Sequence, residues 1–130
     1  MSILITGASG FVGSYLAEKF SKQKKKLFLI SKKKRFLINK NLIKQVDVRN
    51  YKELEKLLKK KIDYVIHCAS LNENLTNKYK KLAYSTTLEG TKNLLELSLK
   101  YNIKKFFFFS VLQVYGKEIF EKIYSKKNKN

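Results

Sequence analysis

Apolar residues in this chain come in short unbroken runs and in helically spaced stripes, and the two kinds alternate. Ile3-Leu4-Ile5 predicts a short buried strand. Residues 11–23 read as a helix, with Val12, Leu16 and Phe20 four apart on one stripe and Lys19, Lys22 and Gln23 off it. Leu27-Phe28-Leu29-Ile30 is continuous, as in a parallel strand covered on both faces. Residues 36–42 read as a loop or helical turn, and Ile43 to Val46 as a short strand. Asn50 precedes Glu53 by three, a capping-box spacing with Asn as the cap. The helix it opens runs to about Lys60 and turns Leu54, Leu57 and Leu58 inward. Asp63 to Ala69 reads as a buried strand and residues 71–78 as a polar loop.

A long helix follows over residues 79–100, with Thr87, Gly90, Thr91, Leu94, Leu95 and Ser98 on one face. Glycine inside a helix costs about 1 kcal/mol against alanine, so Gly90 predicts a close approach to the sheet. Lys105 to Ser110 is a fifth strand built on four phenylalanines. The alternation gives an α/β fold: a doubly wound parallel sheet in three α/β/α layers, strand order 3-2-1-4-5. One domain covers residues 1–116, and the Lys/Asn-rich residues 117–130 read as a weakly ordered tail.

Such sheets bind ligands at the carboxyl ends of their strands. The first strand runs there into Thr6-Gly7-Ala8-Ser9-Gly10-Phe11-Val12-Gly13, and a helix follows at once. Strand, glycine turn, helix is the arrangement that receives a dinucleotide pyrophosphate. Gly7 allows a tight exit, Gly10 lets the main chain approach phosphate oxygens, and Gly13 lets the helix sit close. Ser9, Phe11 and Val12 belong to the same turn. The second strand ends in Ser31-Lys32-Lys33-Lys34-Arg35, with no acid between Glu18 and Asp47. An acid at that tip accepts from the 2′-OH of NAD, whereas cations accommodate the 2′-phosphate of NADP. Ser31, Lys32 and Arg35 therefore favour NADP, with NAD as the alternative.

The net charge of +19 changes the list of partners to weigh. It suits nucleic acid or an acidic membrane surface. The cations are almost all lysine, however, with only Arg35 and Arg49 as arginine, and proline is absent. Base reading prefers arginine, so compositional drift with nonspecific polyanion binding at low salt is the reading adopted. The lone Cys68 fits a reducing, cytoplasmic setting. No apolar run is long enough for a membrane span. His67 and Cys68 are adjacent on a strand and point to opposite faces, so they make neither a metal site nor a nucleophile–base pair.

The glycine turn, Asp47-Val48, Asp63-x-Val-x-His67-x-Ala69, Gly90-Thr91-x-Asn93-Leu94-Leu95-Glu96, Phe-x-x-x-Ser110 and Val114-Tyr115-Gly116 occur in that order. Together they resemble the extended short-chain dehydrogenase/reductases, the NAD-dependent epimerase/dehydratase group, from residue 2 to about 116. The resemblance implies a Rossmann-type domain, truncated, and nucleotide-sugar chemistry. It implies that Gly7, Gly10 and Gly13 hold the pyrophosphate, and that Asp47 accepts from the adenine amine with Val48 against the ring. Ala69 and Ser70 would line the nicotinamide ribose, and Ser110 would stand beside the nicotinamide. Departures from the pattern are Val111, where the family has Ser or Thr, and Thr87, where it has Asn. The family's catalytic Tyr-x-x-x-Lys belongs beyond the last residue given, so no catalytic residue is assigned. Tyr15/Lys19 and Tyr101/Lys105 have the spacing but belong to the wrong elements. The expectation is a cofactor-binding part of an oxidoreductase, inactive alone, a truncated or split product with the catalytic half on a second chain or lost. A noncatalytic NAD(P) sensor or protein-binding domain is the alternative, and a basic nucleic-acid binder the third.

Overall fold

A computed structural model describes residues 1–33, 43–71, 77–110 and Gly116. Arg35, Val111, Val114, Tyr115 and the tail of residues 117–130 lie outside the described residues. The elements are β1 (Ser2–Thr6), α1 (Phe11–Lys22), β2 (Lys26–Ser31), β3 (Lys44–Gln45), α2 (Tyr51–Leu58), β4 (Tyr64–His67), α3 (Lys80–Lys100) and β5 (Lys105–Phe108). The five strands are all parallel, in the order β3-β2-β1-β4-β5. This is the predicted doubly wound, Rossmann-type sheet.

Side chains alternate across the sheet and so divide the core in two. Leu4, Ile30 and Val65 point to one face, where Leu54, Leu57 and Leu58 of α2 and Leu94 and Leu97 of α3 cover them. Ile3, Ile5, Leu29 and Ile66 point to the other, under Leu16, Ala17 and Phe20 of α1. Asn50 caps α2 as its spacing predicted, its side chain accepting from the Glu53 amide at 3.2 Å.

Three details differ from the sequence pattern. On α1 the buried residues are Gly13 and Ala17, while Val12 is exposed at the helix mouth. On α3 the inward stripe is Ala83, Gly90, Leu94, Leu97 and Ser98; Thr87 and Leu95 turn outward. Gly90 does mark a close approach, but to the loop after β3 rather than to a strand. A Cβ there would lie 2.5 Å from Cγ2 of Val48. At the sheet's edge Phe107, Phe108 and Phe109 remain about half exposed. No helix among the described residues is long and apolar enough to cross a membrane.

Candidate functional site

The carboxyl ends of β1, β2 and β4 surround a cleft of about 710 Å³. Its wall contains Gly7, Ser9, Gly10, Phe11, Val12, Gly13, Ser31, Lys32, Asp47, Val48, Ala69 and Ser70, and it also takes in Lys33, Cys68, Leu71, Tyr79, Leu82 and Thr86. Twelve of the fourteen sequence-predicted residues thus meet in one place. Ser110 is exposed beyond the end of β5 and does not line the cleft, and Arg35 is outside the described residues.

The glycine turn is built backbone against backbone. Gly7 has φ +65°, and a Cβ on it would lie 2.7 Å from the Cys68 carbonyl oxygen. On Gly13 a Cβ would lie 2.3 Å from the Gly7 oxygen. Gly10 differs: its Cβ would meet only the Gly7 oxygen, at 3.2 Å, and otherwise face open space. Two glycines therefore serve the fold, and the third leaves room for a ligand. Gly10 is also the N-cap of α1, with no side-chain cap and no acid in the first turn. The amides there remain available to an anion, at the positive end of the helix dipole.

At the tip of β2, Ser31 holds two parts of the cleft together. Its hydroxyl lies 2.6 Å from that of Ser9 and accepts from the Lys33 amide at 3.1 Å. Lys32 extends into solvent, its ammonium 4.0 Å from Asp47. Asp47 is itself gripped by Arg49, whose Nε and Nη2 reach its two oxygens at 3.0 and 2.6 Å. That guanidinium, foremost, holds the Asp47 carboxyl below its ordinary range. Arg49 had no role in the sequence reading; its two-residue offset from Asp47 permits the grip but does not announce it.

Beneath Ala69 runs a buried polar chain. The Ala69 amide donates to Thr6 Oγ1 at 3.2 Å. The Thr6 hydroxyl proton is then free for His67 Nδ1, 2.6 Å away. On the other side of the ring His67 Nε2 lies 3.0 Å from Thr91 Oγ1, so each ring nitrogen has a hydroxyl partner and the ring proton is shared with one of the two threonines. Burial pushes the His67 pKa down to about 4 and the Cys68 thiol up to about 11. His67 is buried, whereas Cys68 is half-buried and borders the cleft; no group of three or more His, Cys, Asp or Glu that could hold a metal ion stands among the described residues. The two Tyr/Lys pairs stay away from the cleft: Lys19 lies over the Tyr15 ring on α1, and Tyr101 donates to Glu55.

The family model for the NAD dependent epimerase/dehydratase family matches residues 3–128. A dTDP-D-glucose 4,6-dehydratase of Dictyostelium discoideum is 35% identical over 92% of this chain and 31% of its own length. The UDP-glucose 4-epimerase of Thermotoga maritima, solved with UDP-glucose, superposes with a TM-score of 0.76 at 25% identity. That match covers 83% of this chain and 37% of the epimerase. A Bifidobacterium longum UDP-glucose 4-epimerase, solved with NAD+ and UDP, shares the fold at TM-score 0.76 and 22% identity, over 89% of this chain and 38% of that one. The chain spans about a third of the length of the relatives it matches.

Proposed function

Because the chain belongs to the NAD dependent epimerase/dehydratase family, we propose that its cleft binds NAD(P) as the cofactor-holding part of an oxidoreductase acting on a nucleotide sugar. The carrying observation is the asymmetry of the glycine turn: Gly7 and Gly13 are filled by backbone, while Gly10 faces the open cleft. The α1 amides hold the pyrophosphate there. Asp47, aligned by Arg49, accepts from the adenine amine, and Val48 lies against the ring. Ala69 and Ser70 border the nicotinamide ribose, with Ser110 further toward the nicotinamide. The bound dinucleotide supplies a hydride acceptor; the chain's own residues bind and orient it.

NADP is favoured over NAD. The β2 tip offers Ser31 and the solvent-extended Lys32, with Arg35 following, and its nearest acid is already held by Arg49. These residues bind without turnover by themselves, since neither Tyr/Lys pair reaches the cleft. The proton partner of hydride transfer comes from further polypeptide, and the half-exposed Phe107, Phe108 and Phe109 give it an edge to dock against.

Titration of NADPH and NADH against nicotinamide fluorescence tests the site. Saturable binding is expected, tighter for NADPH, and Lys32→Gln narrows the difference. No saturable response to either refutes the cofactor reading. Incubation with dTDP-glucose or UDP-glucose and cofactor is expected to give no product; epimerisation or dehydration by these residues alone refutes the incompleteness.

A further inference from the structure

Eight lysines that are scattered along the sequence gather at one pole in space. In a parallel sheet with helical crossovers, every helix ends and every strand begins at the same pole, opposite the cleft. Lys24, Lys25 and Lys26 link α1 to β2, Lys59, Lys60 and Lys61 link α2 to β4, and Lys104 and Lys105 link α3 to β5. These strings are joined physically. The Lys26 amide donates to the Met1 carbonyl at 3.3 Å, the Ser2 hydroxyl to the Lys61 carbonyl at 2.7 Å, and the Lys104 amide to the Asp63 carbonyl at 2.9 Å. The starts of β2, β1, β4 and β5 are consecutive neighbours, so the row spans roughly 14 Å at ordinary strand spacing.

The acid in this row is already spent. Asp63 accepts from the Ser2 amide at 2.7 Å and pairs with Lys104 at 2.7 Å. Among the described residues Lys24, Lys25, Lys26, Lys59, Lys60, Lys61 and Lys105 form no ion pair. Three helix C-termini also face this pole, which explains in part why lysine is tolerated there. Their partial charges amount to about −1.5 together, well short of cancelling seven lysines.

We propose that this pole is a docking surface for the phosphate backbone of nucleic acid, read without regard to base sequence. The strings offer point charges and no arginine fork; Arg49 is committed to Asp47 on the other side of the molecule. The residues that follow the strings, Leu27, Ile62 and Phe106, turn wholly or partly inward. Met1 at the head of β1 and Leu99 in the last turn of α3 are exposed beside them, two separate side chains rather than the continuous apolar face that holds a basic surface to lipid. Because cleft and pole lie at opposite ends of the strands, dinucleotide and polyanion are held together without competing. This surface does not depend on the cofactor reading.

The test exploits two left-handed positions, Lys24 at φ 54° and Lys61 at φ 52°. Glycine there removes a charge while relieving the backbone. A variant with Lys24→Gly, Lys61→Gly, Lys60→Gln and Lys105→Gln is compared with one losing the same charge elsewhere: Lys52, Lys56, Lys81 and Lys92, each to Gln. Anisotropy with a labelled 20-nucleotide oligo-dT, from 50 to 300 mM KCl, is the readout. The pole variant is expected to bind at least tenfold more weakly at 50 mM, with a log–log salt slope shallower by about 3, from roughly 0.7 per phosphate lost. The other variant stays within threefold of the parent. Equal losses in the two variants overturn the proposal, as does displacement of oligo-dT by saturating NADPH. Binding to phosphatidylserine vesicles with none to oligo-dT overturns it in favour of lipid.

Discussion

The two sides of this sheet are finished to different degrees. Around β1 and α1 the turn is packed backbone on backbone, and Ala8, Ala17, Ile3 and Ile5 are buried. Around β5 and the outer face of α3, Phe107, Phe108, Phe109, Leu88, Leu95 and Leu99 are 45–81% exposed. The cradle is complete within these residues, whereas the far edge presents apolar surface that nothing described covers. The chain spans about a third of its relatives' length, and on the function proposed above the first region would bind the cofactor while the second would meet further polypeptide.

The sharpest way to break the contrast is a single methyl group at the cradle. Gly13→Ala would put a Cβ 2.3 Å from the Gly7 oxygen, and both partners are backbone. Gly7→Ala adds a left-handed φ to a 2.7 Å clash. Either is expected to destabilise by about 3 kcal/mol or more and to abolish NADPH binding, as measured by urea unfolding and nicotinamide fluorescence. A loss of less than about 1 kcal/mol would mean that the turn is slack.

Next in size is a pH effect from His67. Its folded pKa of about 4 lies below the ordinary 6.5, so the unfolded chain takes up the proton first. Stability conferred by the neutral ring is full above pH 6.5 and falls as pH drops toward 4. At about 1.4 kcal/mol per unit, the loss across that window approaches 3 kcal/mol. His67→Gln is expected to be less stable at pH 7 but to show a flatter profile from 6.5 to 4. An unchanged slope would place the acid sensitivity elsewhere.

The strand order, the glycine turn and the cap at Asn50 were legible because each is local or periodic. Continuous apolar runs marked parallel strands, and the Asn-to-Glu spacing marked the cap. What escaped depended on distance through space. The outward turn of Thr87 and Leu95 follows from α3 packing on α2 as well as on the sheet. Ser31's place at the tip of β2 was legible, but not that its hydroxyl is shared between Ser9 and the Lys33 amide. The grip of Arg49 on Asp47, and the hydrogen-bonded chain from Thr91 through His67 and Thr6 to Ala69, join residues whose partnership no short motif encodes.

A smaller effect sharpens the link between α3 and the cleft wall. Gly90→Ala gains about 1 kcal/mol of helix propensity but drives its methyl into Val48. The net is expected to be a loss of about 1–2 kcal/mol, with weaker cofactor binding as Val48 is displaced. Shortening the neighbour as well, Gly90→Ala with Val48→Ala, should restore most of the stability. Additive losses in the double variant would show that the two residues do not press on each other.

The smallest expected effect lies at the far edge. Leu99 is 81% exposed and hides little apolar area within these residues, and Phe107, at 47%, hides about half of its own. Leu99→Lys is expected to change stability by no more than about 0.5 kcal/mol and Phe107→Ser to cost about 1 kcal/mol, and both to leave NADPH binding untouched. Both should raise solubility, seen as less scattering on concentration, because an open edge strand with an apolar face invites association. If either substitution instead costs as much as a buried phenylalanine, about 3 kcal/mol, that edge is already covered within these 130 residues. Half-open phenylalanines would then no longer point to a missing neighbour.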